Sequence, residues 1–156
     1  MIWLLAGAVA ILAGCASYAR QNDPATAANA QKTVDEANKE LPAWVKEPKK
    51  DGYVVGQSSC YVENQIPLEH GATADWFKAH MRRFAKEDAI NKACKGANAS
   101  DDQNASAHTL GVDPLEYVGL CTTGGEVGNL MYLGYRPADI RCTNGSSASE
   151  YLRQDR

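Results

Sequence analysis

Thr73-Ala-Asp-Trp-Phe-Lys-Ala-His-Met-Arg-Arg-Phe-Ala-Lys-Glu-Asp-Ala-Ile-Asn-Lys-Ala-Cys-Lys95 is the stretch whose reading decides the fold. Trp76, Phe77, His80, Met81, Phe84, Ala85, Asp88, Ala89, Ala93 and Cys94 recur in it at three- and four-residue steps. At 3.6 residues per turn that spacing puts them on one side of an α-helix. Arg82, Arg83, Lys86, Glu87 and Lys92 fall largely on the other side. Thr73 is placed to cap the first turn, Asp75 meets the positive end of the helix dipole, and Gly96 suits the C-terminal cap. The spacing predicts one long amphipathic helix, which must bury its stripe against another element.

Working outward, Tyr53-Val54-Val55-Gly56-Gln57-Ser58-Ser59 is β-branched and aromatic and predicts a strand. Residues 60–72 read as a loop or a short second strand, and residues 97–113, small and polar, as a surface loop. Tyr117-Val118-Gly119-Leu120-Cys121 and Leu130 to Tyr135 predict two more strands, with turn residues from Thr122 to Gly128 between them. Ala138 to Cys142 continues the last strand or adds to it. The fold class is therefore α+β, one long amphipathic helix packed on a small antiparallel sheet. Tyr53-Val-Val-Gly, Tyr117-Val-Gly and Tyr132-Leu-Gly each place a glycine shortly after an aromatic. Glycine inside a strand marks a bulge or a close backbone approach.

Leu41-Pro42-Ala43-Trp44-Val45 opens the domain, and Pro42 and Pro48 are expected to stop any helix there. Before it, residues 16–40 are rich in Ala, Asn, Gln and Thr and read as a tether. Asp23-Pro24 is a good helix start, with Asp as N-cap and Pro at the first position. Val34 is the one larger apolar residue that follows, so a helix here is expected to be marginal and outside the core. From Thr143 onward the chain is polar and expected to fray.

Residues 1–14 carry no charged side chain, and Ile2, Trp3, Leu4, Leu5, Val9, Ile11 and Leu12 make a greasy run padded with Ala and Gly. It is shorter than the roughly 20 residues that span a bilayer, and fits the apolar region of a signal peptide. The usual Lys or Arg ahead of the run is missing. The run ends in Leu12-Ala13-Gly14-Cys15, which resembles the lipobox of bacterial lipoproteins. The resemblance implies a diacylglycerol on the Cys15 thiol, cleavage before Cys15 and acylation of the new amine. Several acyl chains, palmitate among them, would then hold the chain to a bilayer, at about 0.8 kcal/mol per buried CH₂. Ala16, where inner-membrane retention favours Asp, implies the outer membrane, facing the periplasm. The expected organisation is a signal peptide over 1–14, lipidated Cys15 and tether over 15–40, a globular α+β domain over 41–142 and a polar tail over 143–156.

The remaining cysteines, Cys60, Cys94, Cys121 and Cys142, are even in number. In an oxidising compartment they predict two disulfides. Three pairings are open; Cys121–Cys142 with Cys60–Cys94 is favoured, and both would close loops of a few tens of residues. A zinc site is disfavoured because no Cys-x-x-Cys pair is present. A net charge of −3 offers no basic surface for nucleic acid.

Little else carries chemistry. His70, His80 and His108 are scattered, and His80 lies beside the apolar stripe, where a packed histidine is the expected state. Ser58 and Ser59 lack a Gly-x-Ser-x-Gly setting. Gly124-Gly125-Glu126-Val127-Gly128 lacks the following Gly-Lys-Ser/Thr of a phosphate loop and predicts a hairpin turn. Asp102-x-Asn104-x-Ser106 with Asp113 imitates calcium-loop spacing, but Ala107 stands where Gly is needed. No cofactor or metal is expected.

Pro42-Ala43-Trp44-Val45, Pro48, Gly52-Tyr53-Val54-Val55-Gly56 and Asp88-Ala89-Ile90-Asn91-Lys92-Ala93 carry a second resemblance. Over residues 41–95 the chain is similar to the small outer-membrane lipoproteins of the Helicobacter twenty-kilodalton antigen type, which include a flagellar-assembly lipoprotein. The likeness implies a helix on a small antiparallel sheet and a non-catalytic part in envelope structures. The expected role is thus structural or adaptor-like, through a protein partner in the envelope. The alternative is a small periplasmic enzyme or ligand-binding domain using a cleft between helix and sheet.

Overall fold

The computed structural model describes residues 23–62, 74–95, 107–143 and 146–154. The expected class is the one found: α+β, with one long helix on a small antiparallel sheet. The signal peptide, Cys15, His70, the Thr73 and Gly96 caps and the Asp102–Ser106 loop lie outside the described residues.

Helix α1 spans Pro24–Asn38, followed by two single turns, α2 (Ala43–Lys46) and α3 (Pro48–Asp51). Strand β1 (Val54–Gln57) leads to the long helix α4 (Ala74–Ala93). Then come β2 (Ala107–Thr109), β3 (Leu115–Thr123), β4 (Glu126–Tyr135), a 3₁₀ turn at Pro137–Asp139, β5 (Ile140–Cys142) and the short α5 (Ala148–Tyr151). β4 is the centre of a three-stranded antiparallel sheet in the order β1-β4-β3. β2 and β5 form a separate antiparallel pair, with Ala107 opposite Cys142.

The β3–β4 connection is a two-residue hairpin. Thr123 faces Glu126, and Gly124 and Gly125 both take positive φ, 59° and 79°. This turn needs φ > 0 at both central positions, which glycine adopts without steric cost. On the next strand over, Ser58 interrupts β1. Its N–H donates to the Met131 carbonyl, its Oγ accepts from the Met131 N–H at 2.9 Å and donates to the Ser59 carbonyl. Pairing with β4 resumes at Tyr61, which exchanges two backbone hydrogen bonds with Asn129.

α4 splits its stripe in two. Met81, Ala85, Ala89, Ile90, Ala93 and Cys94 enter the core with Val54, Met131, Leu133 and Tyr135. Ile90, outside the expected stripe, is fully buried. The aromatics of the first turns stay nearer the surface. Small residues let the helix come close to β1: a Cβ on Gly56 would lie 2.8 Å from the Ala89 Cβ and closer still to the α4 backbone. The other two glycines of the aromatic–glycine pattern are also close approaches. Gly119 leaves room for the Tyr132 ring, and Gly134 for Trp44, whose Cε3 would be 2.8 Å from an added Cβ.

Several expectations need correction. Pro42 and Pro48 start single helical turns, because proline suits an N-terminus whose N–H groups have no helical partner. α1 is capped as expected, the Asp23 carboxylate accepting from the Ala25 N–H and the Thr26 hydroxyl. It does not stand off as a tether, however. Ala30 and Val34 are buried, and the helix packs on β3 and β4. The alanine and the valine, a turn apart, meet the sheet face opposite α4. Residues 107–109, expected in a loop, pair with β5 and bury Ala107 completely. The chain after Thr143 is not all frayed: Ala148 is buried in α5, and Tyr151 and Leu152 pack on the core.

The favoured disulfide pairing is also overturned. Cys60 bonds Cys121 (Cα–Cα 5.8 Å) and Cys94 bonds Cys142 (5.4 Å). Cys60 sits beside Tyr61, whose ring lies against Phe77 and His80 near the start of α4, while Cys94 closes the other end. The helical path from His80 to Cys94 is about 20 Å at 1.5 Å per residue. Cys60 and Cys94 are therefore held apart, and the bulge at Ser58 brings Cys60 over Gly128, the cross-strand neighbour of Cys121. The two bonds together take up the four cysteines among the described residues.

Candidate interaction surface

Trp76, His80 and Phe84 are one turn apart on α4, and their rings line up along it. Trp76 stacks on His80 at 4.7 Å between centroids and 12° between planes. His80 meets the edge of Phe84 at 4.7 Å. Phe77 lies edge-on to Trp76, and the Tyr61 ring closes the cluster against Phe77 and His80. Arg83 places its guanidinium over Phe84 at 4.9 Å. Burial raises the Tyr61 pKa, and nearby Arg83 pulls it back in part. His80 is thus a packed ring, as its place beside the stripe suggests. Trp76 keeps 46% of its surface exposed.

The second component is β3. Its side chains alternate between the α4 face and the opposite face, yet Leu115 and Val118, on different faces, are both exposed, Val118 at 45%. Leu110 and Val112, in the turn leading to β3, are exposed too. Glu116 faces α4 and holds it through Lys78 (3.1 Å) and Arg82 (2.9 Å). α4 covers β1 and β4 and reaches β3 mainly through these long side chains, which leaves Val118 in the open.

The two edges of the sheet differ. Ser58 and Asn129 show that odd-numbered residues of β4 bond toward β1, so its even-numbered residues bond toward β3. On β1, Val55 and Gln57 consequently point outward. Gln57 donates its N–H to Asp88 Oδ2 at 2.8 Å, and Lys92 Nζ donates to the Val55 carbonyl at 3.0 Å. That edge is closed by side chains. On β3, the outward residues are Glu116, Val118, Leu120 and Thr122. The Thr122 hydroxyl donates to Gln31 of α1. Among the described residues the outward backbone groups of Glu116, Val118 and Leu120 have no protein partner.

The opposite face of the sheet holds Trp44, Tyr117 and Tyr132, and they are packed rather than displayed. Trp44 lies on Gly134 and tilts against Tyr53. Arg136 spans Tyr53 at 3.9 Å and donates to the Asp51 carbonyl, tying β4 to the end of α3. Tyr132 is raised in pKa, first by burial and then by neighbouring Tyr117. The exposed aromatic surface is therefore on the helix.

A cleft of about 280 Å³ lies between the end of α4 and α5, lined by Ala93, Lys95, Ser147, Glu150 and Tyr151 among others, and neither His80 nor His108 lines it. His108 is half-buried on β2, its Nδ1 without a hydrogen-bond partner among the described residues. Ser58 is buried and spent on backbone bonds. Among the described residues no three His, Cys, Asp or Glu side chains group as metal ligands. No helix among them is long and apolar enough to cross a membrane.

Compared with known proteins, the chain matches no family model, no curated sequence and no solved structure.

Proposed function

We propose that this chain is a lipid-anchored protein of the bacterial envelope that works as an adaptor, through contacts with protein. The observation that carries the reading is the exposure of Val118 on the α4 face of β3, with Leu110, Val112 and Leu115 exposed on and before the same strand, together with Trp76 on the aromatic row of α4. Exposed apolar side chains of this kind on a small domain favour a partner surface. Aromatic residues are the type enriched at the centres of such contacts.

Two further features support an exported, anchored state. The lipobox-like Leu12-Ala13-Gly14-Cys15 supplies the attachment point, and two disulfides suit an oxidising compartment. Residues 16–22 separate Cys15 from the α1 cap. Fully extended they reach about 25 Å, so an anchored domain works close to the bilayer. The resemblance of residues 41–95 to small outer-membrane lipoproteins points the same way.

The test has two parts. Cys15→Ala should move the protein from the membrane fraction to the soluble periplasm; unchanged fractionation removes the anchor. A photo-crosslinking residue at Trp76 or Val118 should capture protein in intact envelopes, whereas one at exposed Lys32 on α1 should not. Equal or absent capture at the three positions removes the adaptor reading.

A further inference from the structure

We propose that β3 pairs antiparallel with β3 of a second copy, centred on Val118. The inference rests on the protein-contact reading and names the partner.

The argument begins with the contrast between the two edges. A free strand edge is a template for another strand, and proteins guard it with charges, proline, bulges or a covering element. β1 has such a guard in Asp88 and Lys92. β3 runs nine residues with no proline and no lysine, and among the described residues it is met at its edge by side chains alone, Lys78 and Arg82 at the Glu116 carboxylate and Gln31 at the Thr122 hydroxyl. The outward backbone groups of Glu116, Val118 and Leu120 lie clear of these contacts.

The chemistry of the strand suits its own copy. Pairing about Val118 sets Val118 against Val118 and Glu116 against Leu120 of the other chain. Three such pairs give roughly six backbone hydrogen bonds. The most exposed side chain of the strand is then buried against an identical β-branched one, a favourable cross-strand pair. Like charges do not meet. The two Glu116 residues lie about 14 Å apart at 3.4 Å per residue, beyond the screening length of about 8 Å in physiological salt, and each is already matched by Lys78 and Arg82. The product is one six-stranded sheet with a twofold axis, its outer edges the two guarded β1 strands. Anchoring both copies in one membrane raises their effective concentration.

The experiment uses the full chain, co-expressed with two different tags and carrying a photo-crosslinking residue at position 118. The expected product is a covalent dimer containing both tags, with the attachment mapped to residues 116–120 of the second copy. Val118→Lys, with the crosslinker moved to position 120, should lower dimer yield at least tenfold while the melting temperature and circular dichroism stay unchanged. Val118→Thr, still β-branched, should retain the dimer. Capture of a different protein at position 118 overturns self-pairing and leaves the adaptor reading intact. Capture of nothing at 118 overturns self-pairing; if position 76 also captures nothing, the adaptor reading falls with it.

Discussion

Asp88 and Lys92, one helical turn apart on α4, form an ion pair and together close the outer edge of β1. The carboxylate takes the Gln57 N–H and the ammonium serves the Val55 carbonyl, so one pair of side chains stands in for a neighbouring strand. Asp88 falls in the apolar stripe of the helix by spacing, and this is the task that places it there.

Asp88→Ala is therefore expected to destabilise the fold by about 1 kcal/mol. Both side chains are about a third exposed, and solvent screening brings the loss below the roughly 1.5–3 kcal/mol of hydrogen bonds to charged groups. Lys92→Ala should cost less, and the double variant less than the sum, because both act on one edge. Urea denaturation of the four proteins measures this; strict additivity would mean that the two residues act separately.

The disulfides close interlocking loops, with sequence separations of 61 and 48 residues. In the chain-entropy model each contributes about 4 kcal/mol, a large share of the 5–15 kcal/mol typical of a domain. Non-reducing peptide mapping should recover Cys60–Cys121 and Cys94–Cys142, and replacing either pair with serine should lower the melting temperature steeply. Recovery of Cys60–Cys94 would contradict the packing of Tyr61 at the start of α4.

Gly56→Ala should cost about 3 kcal/mol or more. Its Cβ would meet the α4 backbone, so helix and strand must separate. Gly111→Ala is the control: its Cβ meets nothing, and only its φ of +74° is unfavourable, at about 1 kcal/mol. Thermal melts of both variants distinguish a crowded position from a merely bent one.

Alkali should unfold the protein in part through tyrosine. The Tyr132 pKa is raised above its ordinary value of 10.0, chiefly by burial. The fold thus holds the phenol proton more tightly than the unfolded chain. Its stabilising effect is complete below pH 10 and is lost as pH rises through the folded value. Tyr132→Phe should flatten the stability–pH curve above pH 10 and leave its shape near neutrality unchanged.

Local patterns made much of this legible. Periodicity identified α4 and most of its buried face, and Asp23-Pro24 marked the start of α1. Gly124-Gly125 marked the hairpin, and three glycines after aromatics marked close approaches. Each depends on neighbours in the chain. Ala107, Ser58 and Ile90 were not legible, because small, polar or off-stripe residues become core only when a distant element covers them. The exposure of Val118 on β3 was hidden for the same reason: it reads as a core residue in a strand, and is open because α4 stops over β4.

The sequence by itself determined the long helix, the strand before it, the β3–β4 hairpin and the even set of four cysteines beyond Cys15, all set by short-range geometry and residue chemistry. Tertiary structure alone decided which cysteines meet, that α1 belongs to the domain, and which sheet edge stays open. Those depend on how a 20-residue helix crosses a three-stranded sheet. That crossing puts Cys60 and Cys94 at opposite ends, brings Asp88 and Lys92 to β1 and leaves β3 uncovered.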